Sequence, residues 1–317
     1  MENNFLNKRK GAAMTAMMLV SVIILAIGFI LLLILYSQFL FTQEIDKEVC
    51  HESVLARHTF NVGGLFEPGR TSIPLRCKTE KICFERGGED CEYVFGEEKD
   101  DNIITSVEIN TDEDKAKTDI LDTLANAMYD CHSMLGEGKL NFAPAGWEER
   151  PYCVLCSRLA LDNVSKEEIG KIDASVFYNL LALKKDADGQ SYLKYLYGVD
   201  KPAEMNEKLL QAERQGMNFD IKIGKENVIL VKLVRDSTWE SILAGTGIAA
   251  LGLGLAPFTG GLSLGLVVAG AGAAGGTTAF VALHPSDNDY RYLGPYIVSY
   301  NKETLEKEEC YSFEASP

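Results

Sequence analysis

Residues 111–135 read TDEDKAKTDILDTLANAMYDCHSML, a pattern typical of an amphipathic helix that packs on a protein core. Thr111 can cap the helix, and the three acidic residues after it are favourable at the positive helix end. Gly136 and Gly138 predict where the helix ends. One apolar stripe follows the helical spacing and consists of Ile120, Leu124, Met128, Cys131 and Leu135. The sequence therefore predicts a core helix with a cysteine on its buried side.

Short apolar or alternating segments on both sides of this helix predict β-strands. We expect one hairpin from residues 72–77 and 81–84, and another from residues 219–223 and 228–234. Further strands are predicted at 102–109, 296–300 and 310–313, and further helices at 172–185, 191–197 and 203–215. The fold class predicted from these elements is α+β.

The cysteines indicate an oxidising compartment. All eight follow residue 41, at Cys50, Cys77, Cys83, Cys91, Cys131, Cys153, Cys156 and Cys310. An even number of cysteines confined to one part of a chain predicts disulfide bonds, whose pairing the sequence leaves open. The sequon at Asn163 is a candidate glycosylation site.

Cys153 and Cys156 have the spacing of a redox-active or zinc-binding pair. No βαβ pattern surrounds them and no second matching pair exists, so we favour structural disulfides over redox and metal roles. Cys131 and His132 are adjacent in a helix and point to different faces, which excludes a catalytic dyad. The segment 186–189 is interpreted as a solvated turn rather than a calcium loop. We therefore predict no enzymatic activity, no cofactor and no metal site.

Residues 12–41 form a run of thirty residues without a charge. At about 1.5 Å per helical residue, roughly 20 residues cross the hydrocarbon core of a bilayer, so this run predicts a transmembrane helix. Lys8, Arg9 and Lys10 precede it and should stay in the cytoplasm. The sequence thus predicts a protein of the cell membrane with a cytoplasmic N-terminus and an extracytoplasmic C-terminal domain.

Residues 241–283 form a second uncharged stretch, of 43 residues with eleven glycines. A helical hairpin that dips into the membrane, a helical hairpin buried in the soluble fold and a flexible insertion are the alternatives. We adopt the membrane-associated hairpin, because glycines four residues apart let helices approach closely in lipid. The glycines with this spacing are Gly261, Gly265, Gly272 and Gly276.

The net charge excludes one class of partner. The chain carries −15, and without residues 1–41, which hold three basic residues and one acidic residue, it carries −17. Such an acidic domain repels nucleic acids, so we expect no nucleic-acid binding.

The predicted organisation has six segments. They are a basic leader (1–11), a transmembrane helix (12–41), a small β-rich segment with cysteines (42–110), an α+β extracytoplasmic domain (111–240), the glycine-rich hairpin (241–283) and C-terminal strands (284–317).

Three stretches resemble known proteins. Residues 8–14, KRKGAAM, resemble the class III leader of archaeal type IV pilins, which implies cleavage between Gly11 and Ala12. Residues 131–140 (CHSMLGEGKL) and 152–159 (YCVLCSRL) are similar to uncharacterised membrane-anchored archaeal surface proteins. That resemblance implies an archaeal setting and brings no activity. The composition of the glycine-rich stretch resembles glycine-zipper hairpins of bacterial envelope proteins and apolar hairpins of pore-forming toxins.

The sequence thus predicts a membrane-anchored cell-envelope protein with a structural or interaction role. Its expected partners are the lipid bilayer and either a second copy or other membrane proteins. One alternative is a membrane-permeabilising or channel-forming protein that uses residues 241–283. The other is an extracytoplasmic thiol–disulfide oxidoreductase that uses Cys153 and Cys156.

Overall fold

The fold is known from a computed structural model of the chain. It describes residues 22–31, 46–59, 73–86, 95, 104–144, 147, 151–162, 169, 171–214, 221–222, 226–235, 265–269, 279–285, 290–308, 310 and 313–314. The chain divides into two compact units, Met1–Asp46 and Lys47–Pro317.

A mixed eight-stranded sheet forms the centre of the second unit. Its strands are β1 (Glu80–Glu85), β2 (Ile104–Glu108), β3 (Tyr152–Leu161), β6 (Glu226–Arg235), β7 (Gly265–Ala269), β8 (Ala279–Pro285), β9 (Tyr290–Ser299) and β10 (Phe313–Glu314). The order is β2-β1-β3-β6-β9-β8-β7, and β10 pairs with β3. The β2-β1-β3 pairs and the β10-β3 pair are parallel, whereas the pairs from β3 to β7 are antiparallel. Two short strands, β4 (Lys171–Ile172) and β5 (Ile221–Lys222), pair separately.

One described helix of the second unit precedes these strands, and the others lie between or after them. They are α2 (46–59), α3 (Glu113–Met134), α4 (Ala174–Leu183), α5 (Tyr192–Tyr197), α6 (Pro202–Arg214) and α7 (Lys302–Lys307). The helix predicted at 111–135 is therefore present. Its N-cap is Asp112 rather than Thr111, because the Asp112 carboxylate accepts the backbone N–H of Lys115 at 3.1 Å. The helices predicted at 172–185, 191–197 and 203–215 correspond to α4, α5 and α6.

Helix α3 packs across the middle of the sheet. It contacts β3, β6 and β9 on one side and α4 and α5 on the other. Ile120, Leu124 and Met128 of the predicted stripe are at most 2% exposed. Because β2, α3 and β3 follow one another and β2 and β3 run parallel on either side of β1, α3 is the crossover helix that this pairing needs.

The central strands are buried on both faces. Ile229, Val231 and Leu233 of β6 belong to the core beneath the helices. Val228, Leu230 and Val234 belong to a separate cluster, against which Tyr300, Leu305 and Cys310 of the C-terminal segment pack. A strand covered on both faces reads as one continuous apolar run, which explains the sequence of β6.

The predicted hairpins are wrong in their pairing. Residues 81–84 lie in β1, whose neighbours β2 and β3 are both parallel, so no hairpin joins them to residues 72–77. Residues 221–222 pair with β4, and β6 pairs with β3 and β9 instead. The strands predicted at 296–300 and 310–313 overlap β9 and β10.

The prediction of a transmembrane helix over residues 12–41 is wrong for the part of the chain that the structure describes. Among the residues that the structure describes, no helix is long and apolar enough to cross a membrane. The described helix in this run, α1, covers residues 22–31.

The predicted helical hairpin over residues 241–283 is also wrong where the structure describes it. Gly265 begins strand β7, which pairs antiparallel with β8, and Val267 lies opposite Val281. β-Branched residues favour strands, and glycine costs a helix about 1 kcal/mol per residue, so this composition suits a sheet better than a helix. Gly261, Gly272 and Gly276 lie outside the described residues.

The burial of α3 predicts that a Leu→Ala substitution in α3 lowers the free energy of unfolding more than an exposed one in α4. Leu124→Ala should lower the free energy of unfolding by about 2–5 kcal/mol, because Leu124 is 2% exposed and its removal leaves a cavity. Leu183→Ala in α4 is the control, since Leu183 is 83% exposed and should change stability by less than about 0.5 kcal/mol. Denaturant unfolding measures both, and similar losses would contradict the placement of α3.

Candidate functional site

Disulfide bonds join segments that are far apart in the sequence. The structure pairs Cys50 with Cys77, Cys131 with Cys156, and Cys153 with Cys310. Cys83 is also disulfide-bonded. Cys91 lies outside the described residues, as do Gly11, Ala12 and Asn163. The predicted disulfide bonding is thus confirmed.

The two cysteines of the CxxC segment do not bond to each other. Cys156 faces the core beneath the helices and bonds to α3, whereas Cys153 faces the opposite side of β3 and bonds to the C-terminal segment. Residues three apart on an extended strand point to opposite faces, which explains the separation. Both are at most 5% exposed. This geometry suits two structural bridges and argues against a shared redox disulfide.

A buried ion pair lies beside the Cys153–Cys310 bridge. Lys232 of β6 is the direct neighbour of Cys153 on β3 and forms an ion pair with the Glu308 carboxylate. The Lys232 ammonium also donates to the Glu308 carbonyl oxygen at 3.0 Å, and the Tyr296 hydroxyl donates to Glu308 Oε2 at 2.9 Å. The two side chains are 1% and 6% exposed, so water screens this attraction little. Bridge and ion pair together fasten the C-terminal segment to the sheet.

A group of interacting polar and aromatic side chains lies where α3 meets α5. We call it the tyrosine cluster, and it consists of Tyr129, His132, Tyr192, Tyr195 and Tyr292. The ring centroid of Tyr129 is 4.5 Å from those of both Tyr192 and Tyr195. The ring of His132 meets that of Tyr195 edge-on at 5.0 Å, and His132 Nδ1 forms a 3.2 Å hydrogen bond with the Tyr292 hydroxyl. The cluster therefore runs from half-buried rings on the helices to a fully buried ring on β9.

A turn with unusual backbone angles closes one side of the tyrosine cluster. Gly136, Glu137 and Gly138 have φ of +78°, +56° and +74°. Such angles are uncommon for a residue with a side chain, and here they aim Glu137 at the cluster, where its carboxylate accepts the Tyr195 hydroxyl at 3.1 Å. Lys139 Nζ is 2.5 Å from the other Glu137 oxygen.

Carboxylates surround the exposed side of the cluster. Burial raises the pKa of Tyr129 and of Tyr192, and the negative charges nearby raise both further. Burial and then the Glu137 charge likewise raise the pKa of Tyr195. The carboxylates responsible are Asp122, Asp130, Glu137, Asp186 and Asp188. The hydroxyls therefore stay protonated at neutral pH.

The raised pKa values and the burial of His132 limit proton transfer by the cluster. A tyrosine with a raised pKa is a poorer proton donor, and His132 is 1% exposed, which keeps it from contact with a substrate in this structure. No group of three or more acidic, histidine or cysteine side chains that could hold a metal ion occurs among the described residues. Half-buried tyrosines beside polar and charged groups are typical of protein recognition surfaces.

The sequence predictions missed the tyrosine cluster. The spacing of Tyr192 and Tyr195 in YLKYLY places both on one face of α5, and Tyr129 and His132 have the same spacing in α3. Each of these two patterns indicates a helix face that carries two aromatic rings. The pairing of one helix face with the other depends on tertiary contacts that spacing does not reveal. Asp186–Gly189 does form the predicted turn, in which the Asp186 side chain accepts the Asp188 and Gln190 backbone N–H groups.

No protein-family model, curated protein or solved structure matches this chain.

The turn at residues 136–138 predicts a difference between two glycine substitutions. A Cβ on Gly136 would lie 2.3 Å from Leu140 Cδ1, whereas a Cβ on Gly189 would meet nothing within 4 Å. Both have a positive φ, so each Ala substitution should cost about 1–2 kcal/mol of strain. Gly136→Ala should cost about 1–3 kcal/mol more because of the clash. Equal losses in denaturant unfolding would contradict the described turn.

The buried ion pair predicts that two substitutions are not additive. Glu308→Gln keeps the size and the hydrogen-bonding oxygen but leaves the Lys232 ammonium without its counter-charge, so stability should fall by about 3–5 kcal/mol. Adding Lys232→Met should recover much of that loss, because the second charge is removed as well. Lys302→Met combined with Glu306→Gln is the control, since this pair is exposed and should contribute under about 1 kcal/mol. Additive losses at Lys232 and Glu308 would refute the coupling.

Proposed function

We propose that this chain is an extracytoplasmic protein of the cell envelope with a structural or interaction role. The observation that carries the proposal is the set of disulfides: one bonds α2 to Cys77, and two bond α3 and the C-terminal segment to β3. Such bonds form and persist in oxidising compartments, and no free cysteine occurs among the described residues. The acidic composition would keep such a domain soluble outside the cell.

The arrangement of potential reactive groups supports a non-catalytic role. The oxidoreductase alternative needs an accessible CxxC pair, and Cys153 and Cys156 are buried in separate bridges. The permeabilising alternative was based on a helical hairpin, and β7 and β8 are strands. Neither alternative is proposed further.

Association with a second copy or with other envelope proteins is the partner class that we propose. The half-buried tyrosine cluster supports it, because tyrosine is enriched at protein interfaces. Leader cleavage after Gly11, contact with a lipid bilayer and an archaeal setting remain predictions from the sequence.

The compartment can be tested in intact cells. Protease added to cells that express the native chain should digest it, while a cytoplasmic control protein survives. Acid quenching followed by maleimide labelling should find no free thiol before reduction. A chain that resists protease until lysis and that carries reduced cysteines would refute the proposal.

The interaction role needs a separate measurement. On a native gel of envelope extract, the chain should migrate in a complex larger than its 34.9 kDa. The same extract treated with denaturant should give the monomer. Migration as a monomer in every native extract would refute the interaction role and leave the compartment result unaffected.

A further inference from the structure

A lysine of the chain itself already occupies one end of the tyrosine cluster. Lys184 Nζ lies over the ring of Tyr192, 5.6 Å from its centroid, and forms an ion pair with Asp122. The backbone brings the two residues together, since the Tyr192 N–H donates to the Lys184 carbonyl oxygen at 2.9 Å. An aromatic face together with a carboxylate is the environment in which proteins bind organic cations.

Other rings and a carboxylate of the cluster are accessible next to Lys184. Tyr129 stacks on Tyr192, with the ring centroids 4.5 Å apart and the ring planes 19° apart. Tyr129 and Tyr192 are half-buried, and the side chain of Asp122 is 51% exposed. An approaching group can therefore reach these rings and the carboxylate that holds Lys184.

The charged side chains around the tyrosine cluster determine which charge a ligand should carry. The carboxylates of Asp122, Asp130 and Glu137 each bind a lysine of the chain, namely Lys184, Lys47 and Lys139. The negative charges of Asp186 and Asp188 also act on Tyr129. Lys185, which directly precedes Asp186, offsets part of this charge, and the group keeps a small negative excess that favours a cation over an anion.

We propose that the tyrosine cluster and its carboxylates bind a lysine or arginine side chain from a basic segment of a partner protein. In the unbound chain, Lys184 occupies the first position and competes with that side chain. The proposal rests on the interaction role proposed above and names the chemistry of the partner.

The internal lysine gives the proposal an unusual test. If Lys184 competes, its removal should strengthen binding of a cationic probe, because Asp122 and the Tyr192 face become available. The probe is a hexalysine peptide, titrated calorimetrically into the purified, disulfide-intact chain at low salt. Lys184→Met should strengthen binding by about 2- to 5-fold, the size of an exposed cation–π contact.

Lys302→Met is the matched control. It changes the net charge by the same amount, and Lys302 is 88% exposed in α7. If hexalysine is held only by the overall negative charge, both variants should bind equally more tightly. Equal effects of the two substitutions would therefore overturn the proposal.

The aromatic part has its own pair of variants. Tyr192→Phe keeps the ring and should bind hexalysine within about 2-fold of the wild-type chain, whereas Tyr192→Leu should weaken binding by about 2- to 5-fold. Circular dichroism checks that both variants fold. If Tyr192→Leu does not fold, the comparison of Lys184→Met with Lys302→Met still decides the question.

Tyrosine rings also bind glycans. A neutral oligosaccharide, cellohexaose, tests whether the cluster binds a glycan instead of a cation. Binding of cellohexaose without binding of hexalysine would overturn the proposal in favour of a glycan surface. Failure with both probes would overturn it too, while the protease and native-gel results on whole cells would still decide the proposed envelope role independently.

Discussion

Helix α3 lies across strands β3, β6 and β9, and the Cys131–Cys156 bond joins it covalently to β3. The apolar stripe of this helix covers the face of the sheet on which Ile229 and Leu233 lie. The parallel arrangement of β2, β1 and β3 also depends on α3, since the chain needs a crossover to return in the same direction. The tyrosine cluster depends on this contact, because Tyr129 and His132 lie on α3. Glu137, in the turn that follows α3, accepts a hydrogen bond from the Tyr195 hydroxyl.

The opposite face of the sheet is fastened in a different way. There the apolar residues of β6 and β9 pack against the C-terminal segment, which a disulfide and a buried ion pair hold in place. A short segment buries little apolar surface, so hydrophobic contact alone would hold it weakly. A covalent bond limits the conformations of the unfolded chain instead, and the Lys232–Glu308 pair fixes which residues meet.

The sequence predicted some parts of this arrangement well. Helical spacing located α3, α4, α5 and α6, and the position of all eight cysteines after residue 41 indicated disulfides. Strand pairing was not predictable, because alternation identifies a strand but not its neighbour, as β1 and β6 show. Cys153 and Cys156 illustrate the same limit, since a CxxC spacing cannot distinguish a strand from a helix N-terminus. The uncharged stretch at 241–283 was interpreted from its hydrophobicity and its glycine spacing, and an apolar run suits buried strands as well as membrane helices.

One side of α3 packs on the sheet, and the other side contributes to the tyrosine cluster. The core and the proposed binding surface can therefore share this helix. Cys131 and Met128 face the sheet, whereas Tyr129 faces α5 and its carboxylate neighbours. A disulfide on the inner side limits rotation of the helix, so the rings on the outer side keep their positions before a ligand arrives. Rigid aromatic groups lose little conformational freedom on binding, which favours affinity even from a small contact area. Lys184 lies over the Tyr192 ring in this same arrangement of the helices, so the surface already holds one cation of the chain.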